Sequence, residues 1–307
     1  MSSIPKAILL TGAHRSGTTW VGKMLSSSPE VGYIYEPFNV GNAMNLNPRP
    51  FSPWYMCLSD ANAGDYERVF RDVLSYRYPL WRNILKVRRP IHAARIVRDQ
   101  GLSWINAWRH ARPMLKDPIA FFSAEWLAEH FDMDVLILVR HPAAFASSIK
   151  IKQWTFDFDN WLEQPLLMEK YLSPWENQII DFARKERDIL DQATLLWNCI
   201  YGTARRYRDK HRDWLFVRHE DLSADPVSAF ASLFGELGLE FGEKSRQAIL
   251  ASSGAHNPKE QEAGRQFVRD SKTNIKNWKH RLTEDEIERV RRGTSEVAGA
   301  WYDDGDW

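Results

Sequence analysis

The stretch Ala7-Ile8-Leu9-Leu10-Thr11-Gly12-Ala13-His14-Arg15-Ser16-Gly17-Thr18-Thr19-Trp20 decides how the rest of the chain is read. Its apolar run Ala7 to Leu10, entered from Lys6, predicts a short strand buried on both faces, the habit of a parallel sheet. Gly12 to Gly17 form a loop, and a helix follows from Thr18, with Trp20, Val21, Met24 and Leu25 at helical spacing. Strand, glycine-bounded loop and helix N-terminus together predict a phosphate cradle. Backbone N–H groups converge there, and the helix dipole adds about half a positive charge. The spacing Gly12…Gly17 is that of the nucleotide-binding loop G-x-x-x-x-G-K-[ST]. It departs from that motif at one place: Thr18 stands where the Lys belongs, and the cation is Arg15.

A chain of 307 residues suffices for one large α/β domain, and residues 1–307 are read as a single domain. A net charge of +1 gives no electrostatic case for nucleic acid or a membrane as the principal partner. The start holds no long apolar run behind a basic segment, and no stretch approaches the length of a membrane span, so no integral membrane segment is expected. The two cysteines, Cys57 and Cys199, cannot form a disulfide framework and fit a reducing, cytoplasmic setting. No metal-ligand spacing and no internal repeat is present in the sequence.

Beyond Pro29-Glu30, Val31–Tyr35 predicts a second strand ending at Glu36-Pro37. Strands of a parallel sheet deliver their C-terminal residues to the ligand crevice, so Glu36 should emerge beside the Arg15 loop. Residues 38–113 carry no strong strand signal; Asp65 to Tyr78 has helical periodicity, and Tyr76 to Arg98 is basic. This insertion is the natural lid or acceptor side over a nucleotide scaffold. Met114-Leu115-Lys116 reads either as a short strand ending in a cation at the crevice or as an approach to a helix with a surface lysine paired to Asp117. A helix is expected from about Phe121 to Phe131.

Asp134 to Val139 predicts the central strand of the sheet, and it ends in Arg140. A Mg²⁺-dependent ATPase would end such a strand in Asp. Pro142 opens a helix, and Ser148 lies about two turns into it. A bidentate guanidinium with a hydroxyl is suitable chemistry for a phosphate monoester. The chain holds 14 tryptophans, and aromatics recur at Trp154, Phe156, Phe158, Trp161, Tyr171 and Trp175; packing accounts for most of them, and a few are open to lining an acceptor pocket for a sugar or aromatic hydroxyl. Asp188 to Lys210 predicts a long amphipathic helix, Leu215 to Arg218 a strand leaving into an acidic turn, and Asp225-Pro226 a capped helix start. The last helix is expected over Glu284 to Trp301, followed by a solvated acidic tail.

The run Arg15-Ser16-Gly17-Thr18-Thr19-Trp20 resembles the 5′-phosphosulfate loop of sulfotransferases that use 3′-phosphoadenosine 5′-phosphosulfate (PAPS). Arg at this place is similar to the carbohydrate, tyrosyl-protein and bacterial branches; the cytosolic branch usually has Lys. Arg140 and Ser148 match the superfamily's 3′-phosphate motif R-x-x-x-x-x-x-x-S, which pairs with the first loop. The stretch Tyr33-Ile34-Tyr35-Glu36-Pro37 looks like the segment carrying the catalytic glutamate, and Lys116-Asp117-Pro118 like the Lys-Asp-Pro step of the tyrosyl-protein branch. In the cytosolic branch a catalytic His stands where this chain has Pro118, a departure that strengthens Glu36. The element Arg218-His219-Glu220-Asp221-Leu222 is similar to R-Y-E-D-L, with His219 in place of the Tyr near adenosine.

The resemblance implies a P-loop-type three-layer α/β fold: a central parallel sheet flanked by helices, with helical insertions on the acceptor side. It implies PAPS as donor, adenosine 3′,5′-bisphosphate (PAP) as product and no metal. Glu36, Arg15 and Lys116 would be catalytic. His14, Arg15, Ser16, Gly17, Thr18, Thr19, Trp20, Arg140, Ser148 and His219 would bind the donor, and a basic segment over about 264–280 would cover it through Arg265 and Trp278, or be a plain exposed loop. Acceptors compatible with the reading are a small molecule, a glycan or a peptide, and a homodimer is one arrangement open to the chain. Two other classes compete: a P-loop nucleotide kinase or NTPase, which accounts for the first loop only, and a non-catalytic nucleotide-binding module, which has no need of Glu36.

Overall fold

Ala7–Gly12 form β1, every residue of which is buried, and the other four strands are laid out around it. The structure, a computed structural model, describes residues 5–39, 53–64, 66–77, 90–254 and 274–307. β2 (Val31–Tyr35), β3 (Arg112–Lys116), β4 (Met133–Val139) and β5 (Leu215–Arg218) complete a sheet of order β2-β3-β1-β4-β5. All pairings are parallel, with Leu10 opposite Lys116 on one side of β1 and Gly12 opposite Leu138 on the other. The chain adds strands first to one side of β1 and then to the other. The ends of β1 and β4 therefore flank a topological switch point, where open α/β sheets bind ligands.

Alternation along the strands builds the three layers. Leu9, Leu115, Val135, Ile137 and Val139 face a core shared with Phe121, Phe145, Trp197 and Tyr201. Ile8, Leu10, Met114, Leu136 and Leu138 face a second core with Val21, Leu25, Phe230 and Phe234. The second layer of helices comprises α1 (Thr18–Leu25) and, later in the chain, Pro226–Glu236 and Glu243–Ser253. The first core is covered by the helices Ala124–Phe131, Pro142–Lys152 and Ile189–Lys210.

The insertion differs from its sequence reading. Its first helix, α2, runs over Tyr66–Leu74, and the stretch before β3 is a 19-residue helix, α3 (Pro90–Trp108), which composition did not announce. Its helical pattern is obscured because its outward positions are apolar (Trp104 and Trp108 are exposed) while Gln100 is buried. Residues 40–52 and 78–89, with the basic positions Arg82, Lys86, Arg88 and Arg89, lie outside the described residues. After β3, Asp117 caps a 3₁₀ turn, Pro118–Ser123, which leads into α4 (Ala124–Phe131). Helix α5 is Pro142–Lys152; short helical turns then lead to α6 (Ile189–Lys210), whose first turn is capped by Asp188. The expected acidic turn after β5 is instead a helix, α7 (His219–Ala224), because Glu220 and Leu222 are drawn inward. α8 (Pro226–Glu236) and α9 (Glu243–Ser253) follow, and α10 (Glu284–Ala298) starts at a Thr283/Glu286 capping box. The tail is less solvated than composition suggests: Asp306 pairs with Arg218 at 2.9 Å. Among the aromatics, Phe158, Trp161 and Tyr171 are core residues, whereas Trp154 reaches the surface. Among the described residues no helix is long and apolar enough to cross a membrane.

Candidate active site

Gly12 leaves β1 at φ +142°, and a Cβ there would lie 2.4 Å from the Leu138 carbonyl oxygen. The neighbouring strand passes too close for any other residue. Arg15 and Gly17 continue the loop in the left-handed region at φ 65° and 102°. Gly17 is the N-cap of α1, and no side chain caps that helix. Its first-turn N–H groups and dipole are thus directed at the loop without a side-chain acceptor. Thr18 is buried in the first turn.

Two side chains join this loop to the end of β4. Arg15 Nε donates to Ser148 Oγ on α5 at 3.0 Å. Arg140 Nη1 reaches back to the Arg15 carbonyl oxygen at 3.4 Å, across 125 residues of sequence. Arg140 Nε and Ser16 Oγ are buried, and neither has a hydrogen-bond partner among the described residues. Buried donors without partners cost about 1–3 kcal/mol each. Both lie near a helix start that no side chain caps, so these donors at the loop have no acceptor among the described side chains.

The other side of β1 brings Glu36 and Lys116 together. Parallel pairing sets Tyr35 opposite Lys116, so Glu36 is the first residue beyond β2 and its N–H donates to the Lys116 carbonyl at 2.9 Å. Lys116 is fully buried; its ammonium pairs with Glu36 Oε1, donates to Thr19 Oγ1 at 3.2 Å and lies 4.0 Å from the Tyr35 ring centre. The strand-end cation is therefore the observed arrangement, and the surface lysine paired to Asp117 is not. Burial pushes the Lys116 pKa down, against the opposing pull of Glu36. Asn39 Nδ2 donates to Glu36 Oε2 at 2.7 Å. A carboxylate offers about four lone-pair directions, so the two oxygens of Glu36 retain capacity to accept a further proton donor.

The remaining sequence-predicted residues are placed as follows. His14 is buried among Tyr55, Phe145 and Trp154, with Nδ1 2.5 Å from the Tyr55 hydroxyl. Burial and the Arg15 charge lower its pKa to about 3, so the ring is neutral and serves packing. Trp20 donates to Ser252 Oγ and packs on Phe230 and His219. His219 opens α7, and its ring lies where a Cβ on Gly17 would stand, 2.4 Å from that position. It is thus brought to the cradle. Trp278 is buried and stacks on the His141 ring at 5.0 Å, behind the Arg140 corner. Arg265 lies outside the described residues, as does most of the segment expected to cover the donor.

Sequence reasoning passed over two residues that hold the site. Asp117 accepts from the N–H of Phe38 at 2.6 Å and of Ile119 at 2.9 Å, tying the turn that carries Glu36 to the end of β3. Its burial raises the carboxyl to about 7. The Asp-Pro step is a helix-cap signal, yet the tie to Phe38 is long-range and invisible locally. Glu220 is the other, and its partners are also distant in sequence.

A sequence model of the sulfotransferase family matches residues 5–243, more than three-quarters of the chain and nearly all of the elements just described. The chain belongs to the sulfotransferase family. Membership makes it a transferase of sulfur-containing groups. Among solved structures, the sulfotransferase domain of the Synechococcus PCC 7002 olefin synthase superposes with a TM-score of 0.51 at 16% identity, covering 98% of this chain and 96% of that one. Mycobacterium tuberculosis sulfotransferase STF1 gives 0.46 at 18% identity (96% and 78% covered), and mouse sulfotransferase SULT7A1, solved with PAP, gives 0.46 at 13% (98% and 86%). At such identities the likeness to the Synechococcus domain concerns the three-layer fold. No curated protein sequence matches the chain.

The residues of this sulfotransferase fit a donor with phosphates at two positions. Ser16 Oγ and the start of α1 form one set of donors, and Arg140 with its unpartnered Nε forms another beside Ser148. Thr18 replaces the lysine that a kinase would aim at the outer phosphates of ATP, and the residue that follows β4 is the cation Arg140 in place of an Asp.

Proposed function

We propose that this chain moves the sulfuryl group of PAPS to a hydroxyl or amine of an acceptor, with Glu36 as the general base. The observation that carries the reading is the junction of the two anion-binding motifs: Arg15 is bonded to Ser148 while Arg140 reaches the Arg15 carbonyl. One doubly phosphorylated nucleotide would find donors for both its phosphates around that junction. PAPS supplies an activated sulfuryl group whose transfer places negative charge on the departing phosphate oxygen.

Arg15, Ser16 and the first N–H groups of α1 would hold the 5′-side; Arg140 and Ser148 would hold the 3′-phosphate. Fixed donors aimed at developing charge contribute about 3–4 kcal/mol each. A sulfuryl group carries less negative charge than a phosphoryl group, which is why side-chain cations suffice in the role that Mg²⁺ has in kinases. Lys116 would act twice. It fixes Oε1 of Glu36, and through Thr19 it ties that carboxylate to the start of α1. Proton abstraction by a base so held is worth about 10²–10⁴ in rate.

Titration calorimetry with PAP against ATP plus Mg²⁺ tests the donor. Tighter binding of PAP is expected, and preference for ATP would favour a kinase. Glu36→Gln should bind PAP as the parent does and lose turnover by about 10²–10⁴ in a sulfate-transfer assay over a panel of glycans, phenols and peptides. Unchanged turnover in that variant removes Glu36 from the role.

A further inference from the structure

In the PAPS reading Arg140 would hold the 3′-phosphate, and its side chain forms no ion pair with a carboxylate among the described residues. Its backbone is held more firmly. The Arg140 carbonyl accepts from Trp197 Nε1 at 2.8 Å, and the N–H of the next residue, His141, donates to Glu220 Oε1 at 3.1 Å. The other oxygen of Glu220 accepts from the Tyr302 hydroxyl at 2.9 Å. One buried carboxylate on α7 thus joins the turn after β4 to the segment that follows α10. Tyr302 and Trp307 of that segment also lie edge-on against the His141 ring, on which Trp278, from the turn before α10, is stacked. Arg218 anchors it further, through Asp306 and the Trp301 carbonyl.

A buried carboxylate is costly unless donors meet it. Burial pushes the Glu220 pKa up, while the Arg140 charge, the His141 N–H and the Tyr302 hydroxyl work in the opposite direction. The carboxylate supplies counter-charge behind Arg140 and leaves Nε of the guanidinium without a partner, as recognition of an external phosphate requires. We infer that Glu220, fixed by Tyr302, is a positioning residue that sets the turn at Arg140–His141 and thereby the chain's selectivity for a 3′-phosphorylated nucleotide. The inference rests on the PAPS reading above, and it adds the residues by which the C-terminal segment takes part in donor selection.

The test compares calorimetric affinities for PAP and for adenosine 5′-monophosphate, which lacks only the 3′-phosphate. The parent chain should bind PAP much more tightly. In Glu220→Ala the ratio of the two affinities should fall roughly ten- to hundredfold, the worth of hydrogen bonds involving a charged group, while binding of the monophosphate is retained. Tyr302→Phe, which removes a hydroxyl and little volume, should lower the ratio in the same direction by a smaller factor. Thermal melts of both variants accompany the titrations; should Glu220→Ala fail to fold, Tyr302→Phe alone decides. An unchanged ratio in folded variants overturns the inference, as does an equal weakening for both nucleotides, which is what a merely structural role would produce. A parent chain that does not distinguish the two nucleotides would instead refute the PAPS reading, and this inference with it.

Discussion

Removing the ammonium of Lys116 should expose how much of the site's integrity rests on one buried pair. Lys116 is completely buried, and the side chain of its partner Glu36 is only 11% exposed. Lys116→Met keeps the volume and leaves the carboxylate without its cation. Breaking a buried pair in this way costs about 3–5 kcal/mol, because the remaining charge is uncompensated. Glu36 still has the Asn39 amide and a small opening to water, so a value of about 3 kcal/mol is expected. Adding Glu36→Gln removes the stranded charge. The double variant should therefore recover about 2 kcal/mol relative to Lys116→Met, leaving mainly the lost bond to Thr19, worth about 1 kcal/mol. Urea unfolding followed by tryptophan fluorescence on the parent, both single variants and the double variant gives the coupling directly. If the two substitutions prove additive within about 0.5 kcal/mol, Lys116 and Glu36 do not act on each other, and the positioning of the base by Lys116 is wrong.

Acidification should act through His141, whose pKa burial and the nearby cations Lys276, Arg140, Lys279 and Arg218 lower from 6.5 to about 3. Between those values the unfolded chain binds the proton and the folded chain does not, so this contribution to stability is present above pH 6.5 and is lost as the pH falls. His141→Asn keeps an acceptor for the Ala143 N–H; going from neutral pH to about pH 4.5, it should lose less stability than the parent by about 2–3 kcal/mol. Equal pH dependence in the two proteins would contradict a neutral buried imidazole. Gly17→Ala should weaken PAP binding and lower stability by about 1–3 kcal/mol, since φ is 102° and the new Cβ would meet the His219 ring at 2.4 Å. Gly17→Ala/His219→Ala relieves the clash and keeps the backbone strain, so only part of the loss should return; full recovery in calorimetry and melts would show that the loop carries no strain at Gly17.

The elements that sequence reading delivered are those whose signal is local. Four of the five strands follow from short apolar runs, whereas β3 stood open between a strand and a helix approach because only Met114 and Leu115 in it form an apolar pair; β1 and β4 are read most readily because burial on both faces makes their central residues apolar. The cap at Asp225 was legible for the same reason, since it bonds to the backbone N–H of Ser228, three residues on. Helix α3 was missed because its pattern is inverted, with Gln100 inward and Trp104 and Trp108 outward. Helix α7 was missed because buried Glu220 reads as part of an acidic turn until its partners are known.

By itself the sequence determined a glycine-bounded loop between a strand and a helix, a strand ending in Arg140 with Ser148 two turns on, and membership of a family. Residue type and spacing along one strand or helix are enough for these, because backbone geometry converts spacing into position within a single element. Only the tertiary structure decided that β1 lies between β3 and β4, which sets Lys116 on one side of the loop and Arg140 on the other. The Lys116–Glu36 pair, the bond from Arg15 to Ser148 and the hold of Glu220 on His141 all depend on strand order and on packing across 79 to 133 residues of chain. Such distances are closed by the burial of two apolar sheet faces, a property of the whole chain that no short stretch contains.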